Sequence, residues 1–221
     1  MTEKFTQIDL DSWERKENYN WFTTKNNCTI VMTANIEITN LLKFVKEKKL
    51  RCYPVFSYMI SNVVNHIKEF KMGFDEDENL GYWDIIYPRY PIFHEEDKRI
   101  SILWSEYDDN FGEFYKNVIN DINRYGEIRS MAAKGRYPLN CFDVTSMPWV
   151  SFTSFSCQSI SNALSFSPFV AIGKFFEDGG KILLPVSMGS HHAVSDGYHV
   201  SKFFMDLQNL ANNFDVWLKL I

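Results

Sequence analysis

Cysteine is scarce in this sequence. Cys28, Cys52, Cys141 and Cys157 are widely spaced and form no CxxC pair. That spacing argues against a structural metal site and against a disulfide framework, and free thiols fit a reducing cytosol. Positive charge is also short: 23 Lys and Arg against 28 Asp and Glu leave a formal net charge of −5. Nucleic acids and anionic membranes are bound through an excess of cations, so neither is an expected partner. No run of about 18 apolar residues occurs, so no segment reads as a transmembrane helix. The start, Met1-Thr2-Glu3-Lys4, is polar and has no apolar signal core, which with the free thiols points to the cytoplasm. Repeats, low-complexity tracts and Pro/Gly/Ser linkers are missing, which predicts a single domain over residues 1–221.

Aromatic residues are plentiful, with 19 Phe, 11 Tyr and 6 Trp, so large flat pockets are easy to build. Residues 28–36 alternate, with Ile30, Met32, Ala34 and Ile36 on one face, which predicts a half-buried strand. Thr39 is placed to cap a short helix carrying Leu41, Leu42 and Val45. Pro54 is placed to open the clearest helix, whose stripe is Phe56, Met59, Ile60, Val63, Val64, Ile67 and Phe70. Residues 79–87 and 91–105 read as strands joined by a tight connection. Phe111, Phe114, Tyr115, Val118, Ile119 and Ile122 mark another amphipathic helix, and residues 126–142 are irregular. Phe142 onward enters a strand. Residues 168–176 and 181–189 form a hairpin around Glu177-Asp178-Gly179-Gly180. A last helix is expected from about Tyr198 to Asn213. Strands and helices intersperse, so the fold class is α/β: a two-layer sandwich with a mixed sheet covered by helices on one face.

One stretch stands apart: Ser190-His191-His192-Ala193-Val194-Ser195-Asp196-Gly197-Tyr198-His199. It lies between the apolar strand Ile182–Gly189 and the helical pattern Val200, Phe203, Phe204, Leu207, Leu210. A His-His pair alone is ordinarily surface or core, and Asp-Gly alone is ordinarily a turn. Together they put two imidazoles at a rigid strand end with a carboxylate returned toward them, a good way to position a general base.

The pattern His-His-x-x-x-Asp-Gly resembles the active-site signature of the chloramphenicol acetyltransferases and their acyltransferase relatives. The resemblance spans nearly the whole chain. It includes Trp13-Glu14-Arg15-Lys16-Glu17, Tyr53-Pro54-Val55, Phe93-His94-Glu95, Leu103-Trp104-Ser105-Glu106-Tyr107 and Pro148–Phe155, in the family's order. It implies a CoA-dependent acyltransferase fold and a cytoplasmic homotrimer with active sites at subunit interfaces. It implies transfer of acetyl from acetyl-CoA to the primary hydroxyl of chloramphenicol. His192 then matches the catalytic base and His191 a structural neighbour. Asp196 and Arg15 match a buried structural pair that shapes the site. Thr145 matches the hydroxyl that hydrogen-bonds the oxyanion of the tetrahedral intermediate. Tyr53, Trp149 and Phe175 match the CoA channel, while Trp21, Phe22, Cys28, Ile100, Phe155, Cys157 and Ala171 match the acceptor side.

Departures from the family pattern cluster near the acceptor. Gly189-Ser190 stands where the family has Gln-Val, Ser195 where it has cysteine, Ala171 where it has threonine, and Cys157 where it has leucine. Ile100 and Asn26 stand at phenylalanine and leucine positions. These leave a second reading open: an acetyl-CoA-dependent transferase acting on another small hydroxyl compound. A dihydrolipoamide acyltransferase core shares the His and Asp-Gly motif, but normally comes with lipoyl and linker domains. A non-catalytic binding protein on this fold is disfavoured by the intact His192, Thr145, Asp196 and Arg15.

Overall fold

Apolar alternation in the strands and a 3.6-residue stripe in the helices bring both kinds of element onto one shared core. The computed structural model describes residues 4–157 and 164–218. The first half folds as β1 (Phe5–Gln7), α1 (Lys16–Thr24), β2 (Thr29–Glu37), α2 (Thr39–Glu47), α3 (Cys52–His66), β3 (Met72–Phe74), β4 (Leu80–Trp83), β5 (Tyr87–His94) and β6 (Arg99–Trp104). There follow α4 (Phe111–Tyr125), β7 (Cys141–Met147), β8 (Phe169–Gly173), β9 (Phe176–Asp178), β10 (Lys181–His191), α5 (Gly197–Asn212) and α6 (Phe214–Trp217).

The large sheet runs β2-β10-β8-β7-β5-β6, with β9 paired to β10 off this path. β7 is parallel to β5 and β8, and the remaining pairs are antiparallel, so the sheet is mixed. Leu184, Val186 and Met188 of β10 join Val170, Ile172 and Val144 in the main core. Leu42 and Val45 of α2, Met59 and Val63 of α3, Phe114 and Val118 of α4, and Phe203 and Leu207 of α5 pack into the same core. Full burial of one such side chain contributes roughly 1.5–3 kcal/mol. The helices therefore cover one face, as the α/β two-layer reading expects.

The opposite face is more polar. Register places Thr33 of β2, Ser187 of β10, Ala171 of β8 and Thr145 of β7 in one cross-strand row. The segment after β7, residues 148–157, lies over this row. A side chain at Gly173 would come within 2.9 Å of the Phe152 ring, so the glycine lets that segment lie close to the sheet.

Several local expectations need correcting. Thr39 does not cap α2: Ile38 holds the N-cap position, and Thr39 Oγ1 instead accepts the Ile182 N–H at 2.9 Å, tying the helix to β10. Pro54 is the third residue of α3, still inside the first turn where its missing N–H costs no helical bond. Its apolar pattern outlasts the helix, because Phe70 is buried from the 3₁₀ turn Lys68–Lys71. Residues 79–87 do not pair with 91–105. β4 joins β1 and β3 in a separate three-stranded sheet, and the hairpin partner of β6 is β5. Alternation identifies a strand but not its partner. The expected hairpin pair of residues 168–176 and 181–189 does form: the Gly179-Gly180 turn closes β9 onto β10, and β8 continues the antiparallel pairing with β10.

The small sheet has a core of its own. Met72, Leu80 and Phe166 form a second cluster with Ala193 and Val194, and Trp13, Tyr19 and Phe22 pack against it. The chain just beyond β10 is thus held between two cores.

Candidate active site

β10 pairs with β2 as far as His191 opposite Thr29, and one residue later the His192 N–H still donates to the Cys28 carbonyl at 3.0 Å. The chain then folds back: the Val194 and Ser195 N–H groups both donate to the His191 carbonyl. Asp196 ends this loop as the N-cap of α5. Its N–H donates to His199 Nδ1 at 3.0 Å, and its backbone carbonyl receives the N–H of His199 at 2.9 Å in return. The Asp-Gly pair is therefore a helix cap rather than a free turn, with His199 in the place a Glu or Gln usually takes.

The His192 ring is fixed on two sides. It stacks on Phe22 with ring centroids 3.9 Å apart and planes 10° apart. Its Nδ1 lies 3.1 Å from the Ser195 carbonyl, which can only accept, so Nδ1 carries a proton, and in the neutral ring Nε2 keeps its lone pair. The ring remains partly open to solvent, with 27% of the side chain exposed. Asp196 Oδ1 sits 3.3 Å from the same Nδ1. The Asp196 carboxylate is held mainly by Arg15, through Nη1 to Oδ2 at 2.6 Å and Nη2 to Oδ1 at 3.2 Å. The Arg15 hydrogen bond holds Asp196 below the ordinary carboxylate value of 3.8, against partial burial. In this single chain the pair is half-buried rather than buried, with 21% of Arg15 and 35% of Asp196 exposed.

His191 is committed elsewhere. Its Nδ1 accepts the Ala193 N–H at 3.1 Å, and its Nε2 donates to Asn27 Oδ1 at 2.9 Å. Burial, with the adjacent His192, pushes it below the ordinary 6.5, so the folded chain favours the neutral ring. Both nitrogens are occupied, which leaves this imidazole no lone pair for proton transfer. Two of the motif departures meet here: Ser195 Oγ donates to Ser190 Oγ at 2.7 Å, in a spot where both residues are buried.

The other expected site residues fall into separate places. Trp21 is exposed on α1, next to Phe22, and Cys28 supplies the carbonyl that holds the His192 N–H. Thr145 and Ala171 sit side by side on the polar face of the sheet. His192 lies two strands across and five residues along from Thr145. At about 4.8 Å per strand and 3.4 Å per residue, that is roughly 20 Å. One carbonyl cannot touch both groups of the same chain. Phe155 reaches the Thr145 side from segment 148–157, where Cys157 is exposed. Ile100 lies opposite Phe93 at the β5–β6 edge, and Trp149 meets the Phe93 ring edge-on at 4.8 Å. Tyr53 packs on the main core, where its hydroxyl donates to the Val144 carbonyl at 3.3 Å and burial pushes its phenol well up. Phe175 packs on the same core with Lys46 over its ring.

Asn27, the Ser195 carbonyl and His199 were not anticipated. His199 had a signal, since it stands three residues after an N-cap aspartate. Asn27 is 164 residues from its partner, and a backbone acceptor leaves no mark in sequence.

Comparison with known proteins bears on this arrangement. The family model described as "Chloramphenicol acetyltransferase" matches residues 3–208. A chloramphenicol acetyltransferase of Clostridium perfringens is 44% identical over 215 residues, covering 97% of this chain and 98% of that protein. One of Clostridium butyricum is 43% identical over the same length. Among solved structures, a chloramphenicol acetyltransferase superposes with a TM-score of 0.84 at 24% identity, covering 94% of this chain and all of the other. The dihydrolipoamide acetyltransferase of Azotobacter vinelandii shares the fold at a TM-score of 0.68 and 16% identity, covering 92% and 89%.

Proposed function

The chain belongs to the chloramphenicol acetyltransferase family, and is an acyltransferase, and from that premise we propose that it acetylates the primary hydroxyl of chloramphenicol from acetyl-CoA, with His192 as general base. One observation carries the assignment of the base: the Ser195 carbonyl takes the Nδ1 proton, leaving Nε2 free to accept another. Nε2 removes the proton of the acceptor hydroxyl as its oxygen attacks the thioester carbonyl carbon. The carbonyl oxygen takes up the charge, and the Thr145 hydroxyl donates to it. The intermediate then collapses, the carbon–sulfur bond breaks, and the imidazolium returns its proton to the departing thiolate. Arg15 and Asp196 hold the loop carrying His192, and His191 keeps the strand end in place.

The separation of His192 from Thr145 supports a site shared between two chains. The proposed assembly is a homotrimer in which His192, with Phe22, Trp21 and Cys28 beside it, faces the Thr145 side of a neighbour. Ala171, Phe155, Cys157 and Ile100 then wall the acceptor, and Tyr53, Trp149 and Phe175 belong to the CoA approach. The exposed apolar side chains Val31, Phe93, Ile100, Trp149 and Val150 support such an interface, since large apolar patches mark contact surfaces. The whole chain acts as one domain, and its place is the cytoplasm. No helix among the described residues is long and apolar enough to cross a membrane.

The direct test is free-thiol release from acetyl-CoA by the purified protein. Release that depends on chloramphenicol and stops when its primary hydroxyl is blocked is the expected result. No release with chloramphenicol, but release with another small hydroxyl compound, replaces the acceptor and keeps the chemistry. No release with any hydroxyl acceptor overturns the proposal.

A further inference from the structure

Ser187 belongs to neither half of the proposed site, yet it sits between them. It is on β10, five residues before His192, and directly opposite Ala171, which is opposite Thr145. Its side chain is 2% exposed. Its hydroxyl accepts from Thr33 Oγ1 at 3.0 Å and donates to the Phe155 carbonyl at 2.6 Å. Residues 148–157 are tied down near their start as well: the Lys174 N–H donates to the Val150 carbonyl at 2.9 Å, and Ser151 Oγ donates to the Lys174 carbonyl at 2.6 Å. Ser187 makes the tether at the far end. There the Phe155 ring lies against Phe169 at 6.0 Å and Phe152 at 5.8 Å.

We propose that Ser187 is a positioning residue for acceptor specificity: its hydroxyl pins the Phe155 backbone to the sheet and so fixes the Phe155 ring as a wall of the acceptor pocket. This rests on the reading that Phe155 faces the acceptor. The physical case is that the buried Ser187 hydroxyl is costly to leave without an acceptor, so the segment that supplies the half-buried Phe155 carbonyl stays down while the hydroxyl is present. Without it, the contacts that hold the end of the segment among the described residues are apolar ring contacts, which do not fix its register along the sheet. A wall that shifts weakens acceptor binding while leaving His192 and Thr145 in place.

The test uses Ser187→Ala, Ser187→Cys and Thr33→Val in the full chain. Thr33→Val leaves the bond from Ser187 to Phe155 intact. Ser187→Ala should raise KM for chloramphenicol about three- to ten-fold, the worth of one neutral hydrogen bond. It should leave kcat within about two-fold, a loss of uniform binding, and KM for acetyl-CoA unchanged. Ser187→Cys, with a weak donor of similar size, should fall between it and wild type. Thr33→Val should behave as wild type. Hydrogen exchange of residues 149–157 should speed up in Ser187→Ala and not in Thr33→Val. An unchanged chloramphenicol KM in well-folded Ser187→Ala overturns the proposal, as does a parallel shift of both KM values and kcat. If Ser187→Ala does not fold, Ser187→Cys carries the same comparison. If the wild type does not turn over chloramphenicol, the acceptor reading has failed, and the exchange measurement alone decides the tether: unchanged exchange overturns it.

Discussion

The proton on His192 Nδ1 is held by a backbone carbonyl, whereas His191 has both nitrogens engaged. The two neighbours should therefore respond differently to removal. His192→Ala should lower kcat by about 10²–10⁴-fold with the fold intact, the usual worth of general-base catalysis. His191→Ala should act first on stability, with a much smaller change in kcat. Equal kcat losses in two folded variants would refute the assignment. The paired departures Ser190 and Ser195 make a second test at this scale. Ser190→Val alone leaves the buried Ser195 hydroxyl without its nearest partner, and should cost about 1–3 kcal/mol in urea unfolding. Ser190→Val with Ser195→Cys removes both hydroxyls and should recover most of that loss. A double variant as unstable as the sum of its parts would mean that the serines were not exchanged as a pair. The lowered pKa of His191 gives a pH effect of definite sign. Below 6.5 the unfolded chain takes up a proton that the folded chain resists, so stability falls as pH drops toward the folded value. Asp196, lowered by Arg15, contributes stability above 3.8 that is lost at still lower pH, and screening at its exposed side reduces the size of that step. The stability gap between wild type and His191→Gln should thus narrow from about pH 7.5 to about pH 5. A gap constant over that range would show that the ring does not titrate with folding.

Among the elements, β10 does most to place the site, and the turn before it sets its register. Gly179 has φ +55° and Gly180 φ +77°, both in the left-handed region, the pattern of a two-residue type I′ hairpin. Nothing lies within 4 Å of a side chain added at either position, so substitution there tests backbone conformation alone. Gly180→Ala should destabilise by about 1–2 kcal/mol. Gly179→Asn, which makes the favoured Asn-Gly turn, should cost at most a few tenths of that. Chemical denaturation of the two variants gives the comparison, and equal effects would contradict the turn type. At its other end β10 hands the chain to α5 through the Asp196–His199 cap, so the strand, the loop and the helix start form one positioned unit.

For the molecule as a whole, the roughly 20 Å between His192 and Thr145 of one chain makes oligomerisation part of the proposed chemistry. In a cyclic trimer each site would take His192 from one chain and Thr145 from the next. Co-expressing a His192→Ala chain with a Thr145→Ala chain then gives one intact site in every mixed trimer. Random assembly of equal amounts predicts roughly a quarter of wild-type activity, from two nearly inactive parents. A site built within one chain predicts no recovery at all. Light scattering that finds an active monomer would refute the shared site independently.

Local pattern sufficed for much of this protein. The period of β2, the stripe of α3, the Gly-Gly turn and the His-His-x-x-x-Asp-Gly stretch were readable because each depends on residues a few positions apart. The α/β class and the helix-covered face followed from their order. Pairing was another matter. β4 went to a second sheet with β1 and β3, because alternation exposes a strand's faces but not the edge it will meet. Thr39 serves β10 rather than its own helix, because the distant Ile182 N–H claims its oxygen. The commitment of His191 to Asn27 and the tether from Ser187 to Phe155 join residues far apart in the chain. Hydrogen bonds of that kind exist only once two cores have brought the partners within about 3 Å. The sequence by itself determined which imidazoles and hydroxyls are available for the proposed chemistry. Only the tertiary structure decided that both nitrogens of His191 are engaged while Ser195 holds Nδ1 of His192, and that Thr145 lies roughly 20 Å from His192 in the same chain.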